Sequence, residues 1–370
     1  MSDRLSDAVD GLEFEIDADV TRAETPPARF YCDPSVLERA KSRVFAPSWQ
    51  LVADAGDLEE IGSIRPVVLH EGLLDEPIVL TRDEKGALNA VSNVCTHRGN
   101  VVVAAACKRK SLVCGYHGRR FDLDGTFRTM PGFEEAKGFP RPEDDLADAN
   151  VATWGRLVFA SSRPERPFAD WLNEVKRRVG WIAVDELRLD EKRSREYEVK
   201  ANWALYCDNY LEGFHIPFVH QALSATIELE EYTTELFARS SVQIAHAKDG
   251  EPAFEPPEGS PDHGKRIAGY YWFVFPNLML NFYPWGLSIN VVRPQAVDRT
   301  RVSFLAYVGD RSKLDRGAGS GLDRVEHEDE AVVESVQRGL RSSLYTRGRY
   351  SPKHERAVHH FHRMLLERLR

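Results

Sequence analysis

Cys95-Thr96-His97 and Cys114-Gly115-Tyr116-His117 each supply one thiolate and one imidazole, and residues 98 to 113 are long enough to fold the two pairs into facing loops. Soft and borderline ligands therefore converge in matched sets. Zinc accepts such a set, but zinc modules usually place Cys with Cys at one end and His with His at the other, whereas here each end carries one of each. Gly99, Gly115 and Gly118 are expected to let the loops turn closely around a metal. Cys107 has no partner in this segment and is expected to pack as a small apolar group.

This mixture resembles the Rieske [2Fe-2S] centre, in which two cysteines hold one iron and two histidines the other. The resemblance implies Cys95, Cys114, His97 and His117 as cluster ligands. Rieske proteins of the respiratory-chain type carry two further cysteines that cross-link the loops; Asn100 and Tyr116 stand at the corresponding positions, so no loop disulfide is expected. With few hydrogen bonds expected to the sulfurs, the potential should fall near the low end of the Rieske range, about −150 mV.

A chain of 370 residues holds two domains of ordinary size. Cys32, Cys107 and Cys207 are scattered and outline no disulfide framework, which points to a reducing compartment. The first twenty residues are acidic and have no basic start followed by an apolar core, so they do not read as a secretion signal. No stretch has the apolar length of a membrane span. A soluble, cytoplasmic protein is expected, with no membrane partner. A net charge of −9 argues against a nucleic-acid partner, since phosphate binding depends on basic surface.

Residues 1 to 22 read as mobile and solvated. Asp33-Pro34 then starts a helix through Val36, Leu37, Ala40, Val44 and Phe45. From Trp49 the period shifts to strands at residues 50 to 53, 63 to 70, 77 to 81 and 90 to 94, with a hairpin turn at Asp124-Gly125 and a closing strand at 156 to 160. This reads as a small antiparallel domain over residues 46 to 160. It is preceded by an N-terminal helical segment, 1 to 45, expected to pack on the region beyond residue 160. The linker 161 to 167 leads into that third region, 161 to 370. Its buried strands are expected at 270 to 281, 287 to 292 and 301 to 308, and the Pro- and Gly-rich run 248 to 265 reads as a surface loop that could act as a lid.

The third region carries a second ligand set. On a regular helix Asp208, Glu212 and His215 share one face through offsets of four and three. His220, five residues on from His215, would lie about 140° round the axis, and Pro217 supplies the break that brings it back. Two neutral histidines need one carboxylate to form a facial set on iron(II). Asp329 falls in the apolar stripe of a helix over residues 322 to 340 (Val325, Val332, Val333, Val336, Leu340), where an unpaired carboxylate is costly, while Glu328, Glu330 and Glu334 read as solvated. His354, His359, His360 and His362 lie on a C-terminal helix and read as packing or surface groups.

Asn202-Trp203, the run ending at His220, and Glu328-Asp329 followed by Glu334 and Gln337 together resemble the α subunit of the Rieske non-heme iron oxygenases. The resemblance implies an α+β chain: an antiparallel β Rieske domain and a helix-grip catalytic domain of the START-like (SRPBCC) type. It implies a mononuclear non-heme Fe(II) held by His215, His220 and Asp329, with Glu212 linking that iron to a Rieske histidine of the neighbouring subunit in a homotrimer. The family commonly has aspartate at the position of Glu212; relatives acting on quaternary ammonium compounds such as carnitine or glycine betaine carry glutamate there. Phe275-Pro276-Asn277 and Tyr283-Pro284-Trp285-Gly286 are similar to that branch, and Trp272, Phe282, Tyr283 and Trp285 are the candidate cage for a methylated cation.

The reaction so implied is O2-dependent hydroxylation of a small molecule, with demethylation when an N-methyl carbon is attacked. Electrons would come from a separate flavin and iron-sulfur reductase, with or without a ferredoxin, since no flavin or nicotinamide motif is visible. The alternatives are an aromatic-ring-hydroxylating dioxygenase or monooxygenase, a Rieske electron carrier without oxygenase activity, and a START-like lipid-binding module. A carrier needs only about 100 residues and leaves Asp329 unexplained.

Overall fold

The computed structural model describes residues 12–370, so part of the acidic N-terminus read as mobile lies outside the described residues. The chain forms two compact units, one of residues 46–168 and one joining residues up to 45 with 169–370. Among the described residues no helix is long and apolar enough to cross a membrane.

The unit over 46–168 is antiparallel. Seven strands run in the order 50–54, 157–161, 148–154, 88–92, 76–82, 63–69 and 107–108. Three short strands, 112–113, 120–121 and 127–129, form a separate sheet whose turn uses Gly125 at φ 89°. A side chain is excluded there twice over, because a Cβ would stand 2.9 Å from Val91 Cγ1. Ile64, Val79, Val91, Leu112, Phe121 and Leu146 pack together with Cys95 and Cys114 of the two Cys- and His-bearing loops. Cys107 joins that cluster as the small apolar group expected of it.

The larger unit is built on an antiparallel sheet in the order 188–189, 299–308, 286–296, 278–283, 267–274, 240–247 and 227–236, with 195–199 also paired to 299–308. The run expected as one strand over 270 to 281 is two, because Phe275-Pro276-Asn277 turns the chain between them. Helices Trp203–Tyr210 and Arg356–Leu369 pack on this sheet, and Leu322–Gly339 packs against Trp203–Tyr210. Asp33 caps the helix Pro34–Ala40 by accepting from the Ser35 amide, and its continuation carries Phe45 to within 4.9 Å of the Trp203 ring.

Two expectations are corrected. Residues 12 to 22 are held rather than loose: Leu12 and Phe14 are buried, Arg370 donates to the Phe14 carbonyl, and His359 Nε2 lies 2.8 Å from the Asp17 carbonyl. Composition alone hid two apolar anchors among the acids. The run 248 to 265 is a loop, but Asp262 within it is fully buried and gripped by Arg178 through bonds of 2.6 and 2.9 Å. A loop tethered through a buried ion pair is a poor lid.

Candidate metal centres and the cavity beside them

The two loops of the smaller unit repeat one construction. In each, the glycine four residues after the cysteine donates to the cysteine carbonyl (Gly99 to Cys95 and Gly118 to Cys114, both 3.0 Å). The cysteine amide in turn donates to the carbonyl five residues on, Asn100 at 2.8 Å and Arg119 at 2.9 Å. Closing these turns requires left-handed backbone, with φ of 70° at Gly99 and 75° at Gly118. Gly115, grouped with them from sequence, has neither a positive φ nor any atom near its would-be Cβ, so the fold does not demand it.

His97 and His117 are brought edge to face at 4.8 Å between ring centres, with Cys95 and Cys114 buried behind them. The surroundings favour the ligating form of His97 and Cys114, whereas burial, reinforced by the neighbouring Cys114, holds the Cys95 thiol above its usual range. Burial, reinforced by the neighbouring His117 and Arg119, holds His97 below the ordinary imidazole value, so its nitrogens stay free to bind. Burial works against a Cys114 thiolate, but the amides of Tyr116 and His117 and the Asn100 side chain outweigh it and hold the thiol below its usual range. Asn100 Nδ2 stands 3.5 Å from Cys114 Sγ, so the sulfur has more donors than the sequence led us to expect. All five cysteines are free. Beneath the loops Arg119 is buried, bonded to Asp144 at 2.7 Å, and lies over the Phe127 ring at 4.8 Å. This donor set suits a Rieske cluster.

In the larger unit, Asn202 caps the helix Trp203–Tyr210 and donates to the Tyr31 and Val297 carbonyls, while its amide meets Gln337 Oε1 at 2.8 Å. That helix ends at Tyr210, so Glu212 and His215 do not continue its face as expected. The chain turns through Gly213, where a Cβ would stand 2.8 Å from the Tyr232 ring. Pro217 does not break a long helix; it opens the short one, Ile216–Val219, that His215 and His220 flank. One turn between them brings the two rings to 5.0 Å. Asp208 turns away from this set toward His362 and Tyr31.

Ligand-type atoms of His215, His220 and Asp329 all lie within 4.8 Å of one another. Each imidazole is oriented from behind. His215 Nδ1 lies 2.6 Å from Glu212 Oε1, and the other oxygen of Glu212 accepts from the backbone amides of Phe214 and His215. His220 Nδ1 lies 2.7 Å from Glu328 Oε2. Both Nε2 atoms therefore face Asp329, at 3.5 and 3.0 Å, and Asn209 steadies that carboxylate with a 2.6 Å bond. Burial pulls His220 toward neutrality, yet Asp329 and Glu328 outweigh it and raise its affinity for a proton, as expected where a positive ion belongs. Two imidazoles and one carboxylate with an open side suit ferrous iron.

Glu328, read from sequence as solvated, is thus a positioning residue, and Glu334 accepts from the Lys200 amide. The buried stripe of the Asp329 helix is Glu326, Val333, Gln337 and Leu340, whereas Val336 is exposed. His359 and His362 are buried in packing, as the sequence reading allowed. His362 sits among Tyr31, Tyr350 and Asp208 at 2.8 Å from each.

A cavity of about 760 Å³, counting its mouth, opens beside the triad. Its aromatic wall is Tyr206, Tyr210, Tyr232, Tyr271, Tyr283 and Phe304. Burial pushes the phenols of Tyr206, Tyr210, Tyr232 and Tyr283 well above their ordinary value, so the wall is neutral. Of the four residues put forward as a cage, only Tyr283 lines this space. Trp272 and Phe282 face the other side of the sheet, Trp272 stacking on Phe237 at 5.3 Å, and Trp285 stacks behind Tyr283 at 5.4 Å. Adjacent strand residues point to opposite faces, so Phe282 and Tyr283 could not both have lined one cavity; that alternation was available in the sequence.

Two family descriptions match the chain: "Rieske [2Fe-2S] domain" over residues 48–140 and "Ring hydroxylating alpha subunit (catalytic domain)" over 186–370. The chloroplastic choline monooxygenase of Arabidopsis thaliana is 33% identical, with 97% of this chain and 86% of that protein covered. The carnitine monooxygenase oxygenase subunit of Escherichia coli K12 is 29% identical over 95% of both. The fold matches that of the quaternary ammonium Rieske monooxygenase CntA with a TM-score of 0.76 at 23% identity, covering 95% of this chain and 96% of that one. The chain therefore belongs to the ring-hydroxylating α-subunit family of Rieske oxygenases, oxidoreductases that carry a [2Fe-2S] cluster and a mononuclear iron and draw electrons from a separate donor.

Proposed function

We propose that this chain is the terminal oxygenase of a multicomponent system and that it hydroxylates a carbon of a quaternary ammonium compound. The observation that carries this reading is the triad of His215, His220 and Asp329 set against a cavity walled by neutral tyrosines. Aromatic faces attract a methylated cation without needing to be charged themselves. The relatives named above act on choline and on carnitine. When bound, the iron supplies the activation of dioxygen that no side chain can provide.

Each of the chain's own groups has a defined task. Cys95, Cys114, His97 and His117 hold the cluster; His215, His220 and Asp329 hold the iron. Glu212 and Glu328 fix the two imidazoles, and Asn209 fixes the carboxylate. We assign Glu212 the further task of linking this iron site to the cluster of an adjacent subunit in a homotrimer. Its support is the exposed, aromatic edge beside it, formed by Phe214 and Phe218, and the inter-subunit electron transfer described for CntA. Five free cysteines fit a reducing compartment, and we place the protein in the cytoplasm.

The test is iron analysis followed by oxygen uptake with a surrogate reductase. About three irons per chain are expected, two in the cluster and one in the triad. Choline or carnitine should stimulate uptake and aromatic acids should not. Uptake on aromatic acids alone would replace the proposed substrate class with aromatic-ring hydroxylation.

A further inference from the structure

The cavity contains one acid that the metal site does not use. Glu326 lies one helical turn before Asp329, on the same face of Leu322–Gly339, and its side chain forms part of the cavity wall. It is 2% exposed. Oε2 accepts from Tyr206 at 2.6 Å, whereas Oε1 is buried without a hydrogen-bond partner. The other two acids of the wall are engaged, Asp329 with the triad and Glu212 with His215. Among the described residues no lysine or arginine lines the cavity.

Leaving a buried carboxyl oxygen unsatisfied costs on the order of 1–3 kcal/mol; a quaternary ammonium donates no hydrogen bond, but its charge beside the carboxyl offsets part of that cost. Burial pushes Glu326 well above the ordinary carboxyl range; the Tyr206 bond opposes this, and the negative charge of Asp329 adds to it. A positive charge entering the cavity relieves that penalty, and a second negative charge increases it.

Resting on the function proposed above, we infer that Glu326 is the specificity-determining residue that receives the ammonium head of the substrate, and that it selects cationic alcohols of the choline type over ammonium carboxylates. Tyr206 fixes the carboxyl in the cavity wall, and the neutral phenols around it accept the methyl groups. A ligand carboxylate finds no lysine or arginine in the wall of this space.

Calorimetric binding to the enzyme loaded with cluster and iron tests this, with choline, its uncharged tert-butyl analogue and glycine betaine as probes. The native protein should bind choline at least about tenfold more tightly than either of the others, a difference typical of a desolvated charge contact. In Glu326→Gln the preference over the tert-butyl analogue should shrink to within about threefold, with binding of the analogue itself unchanged. Glu326→Asp should keep the preference for the cation. Should the Gln variant not fold, Glu326→Met fills the same space without a charge and supplies the same comparison. A Gln or Met variant that retains the full preference overturns the assignment, as does a native protein that binds glycine betaine as tightly as choline while oxidising either. A native protein that neither binds nor oxidises any quaternary ammonium compound instead overturns the function on which this inference rests.

Discussion

Glu328 Oε2 lies 2.7 Å from Nδ1 of His220, although 108 residues separate them and the next residue, Asp329, meets the opposite nitrogen of the same ring at 3.0 Å. Consecutive acids on one helix thus grip both sides of a buried imidazole. Carboxylates placed behind a ligating histidine fix its tautomer and commonly contribute 10- to 100-fold, roughly, to metal affinity. Glu328→Ala should therefore weaken retention of the triad iron by about that factor while the cluster keeps its colour. Competition with a ferrous chelator measures the first and visible absorption the second; unchanged iron retention would remove Glu328 from the site.

Glu212 accepts from two backbone amides as well as facing His215, so its neutral isostere can preserve the turn and still lack the charge. Glu212→Gln should leave both metal centres filled and nearly abolish turnover coupled to the reductase. Full activity with a normal iron count would dispose of the linking role.

The amide of Asn100 reaches Cys114 Sγ at 3.5 Å. A hydrogen bond to a cluster sulfur favours the reduced state, and a bond of about 0.5–1.5 kcal/mol corresponds to roughly 20–65 mV for one electron. Asn100→Ala should lower the midpoint by that amount. Redox titration also tests the expectation of a native midpoint near −150 mV, the low end of the Rieske range; with the donors found around Cys114, a value somewhat above it is now expected, about tens of millivolts.

Arg178 binds Asp262 and Glu235 at once, and Asp262 also accepts from Tyr270 at 3.0 Å. Burial alone would raise Asp262, but the Arg178 bonds and charge outweigh it and hold the carboxyl below its ordinary 3.8. A group with a depressed folded pKa contributes stability above its unfolded value and loses it as pH falls through the folded one. The contribution should thus be complete near neutrality and disappear only below about pH 4. Arg178→Gln, which leaves a buried carboxylate without its cation, should cost about 3–5 kcal/mol and raise the pH of acid unfolding. Denaturant melts between pH 7 and pH 3 decide the point, and equal stability of variant and native protein throughout would contradict it.

Gly213 faces the Tyr232 ring too closely for any side chain. Gly213→Ala should displace the turn that carries Glu212 and His215, lowering iron content and activity together at little cost in overall folding. Iron per chain and a thermal melt of the same preparation separate the two effects.

Each cluster loop was legible because its two ligands, its glycine and its closing hydrogen bonds lie within one run of six residues, where local backbone geometry decides the shape. The same holds for the helix begun at Asp33-Pro34 and for the hairpin at Gly125. The pairing of His215 and His220 was legible as well, but the break was placed at Pro217, when it lies in the turn through Gly213. Proline marks a discontinuity without saying on which side of it the helix ends.

What the sequence could not determine was every relationship set by how distant segments pack. Glu328 reads as a solvated acid until His220 arrives against it, and Asp208 reads as a partner of Glu212 until Tyr31 and His362 claim it from both ends of the chain. Tyrosines from the helix at 203–210 and from strands at 227–236, 267–274 and 278–283 enclose the cavity, while the tryptophans expected there lie behind or beneath it. The sequence by itself thus determined where cysteines and histidines of ligand chemistry gather, since that is a property of residues at short spacing. Only the tertiary structure decided which acids support them and which aromatic faces meet a substrate, because those depend on the direction in which a folded sheet turns its side chains.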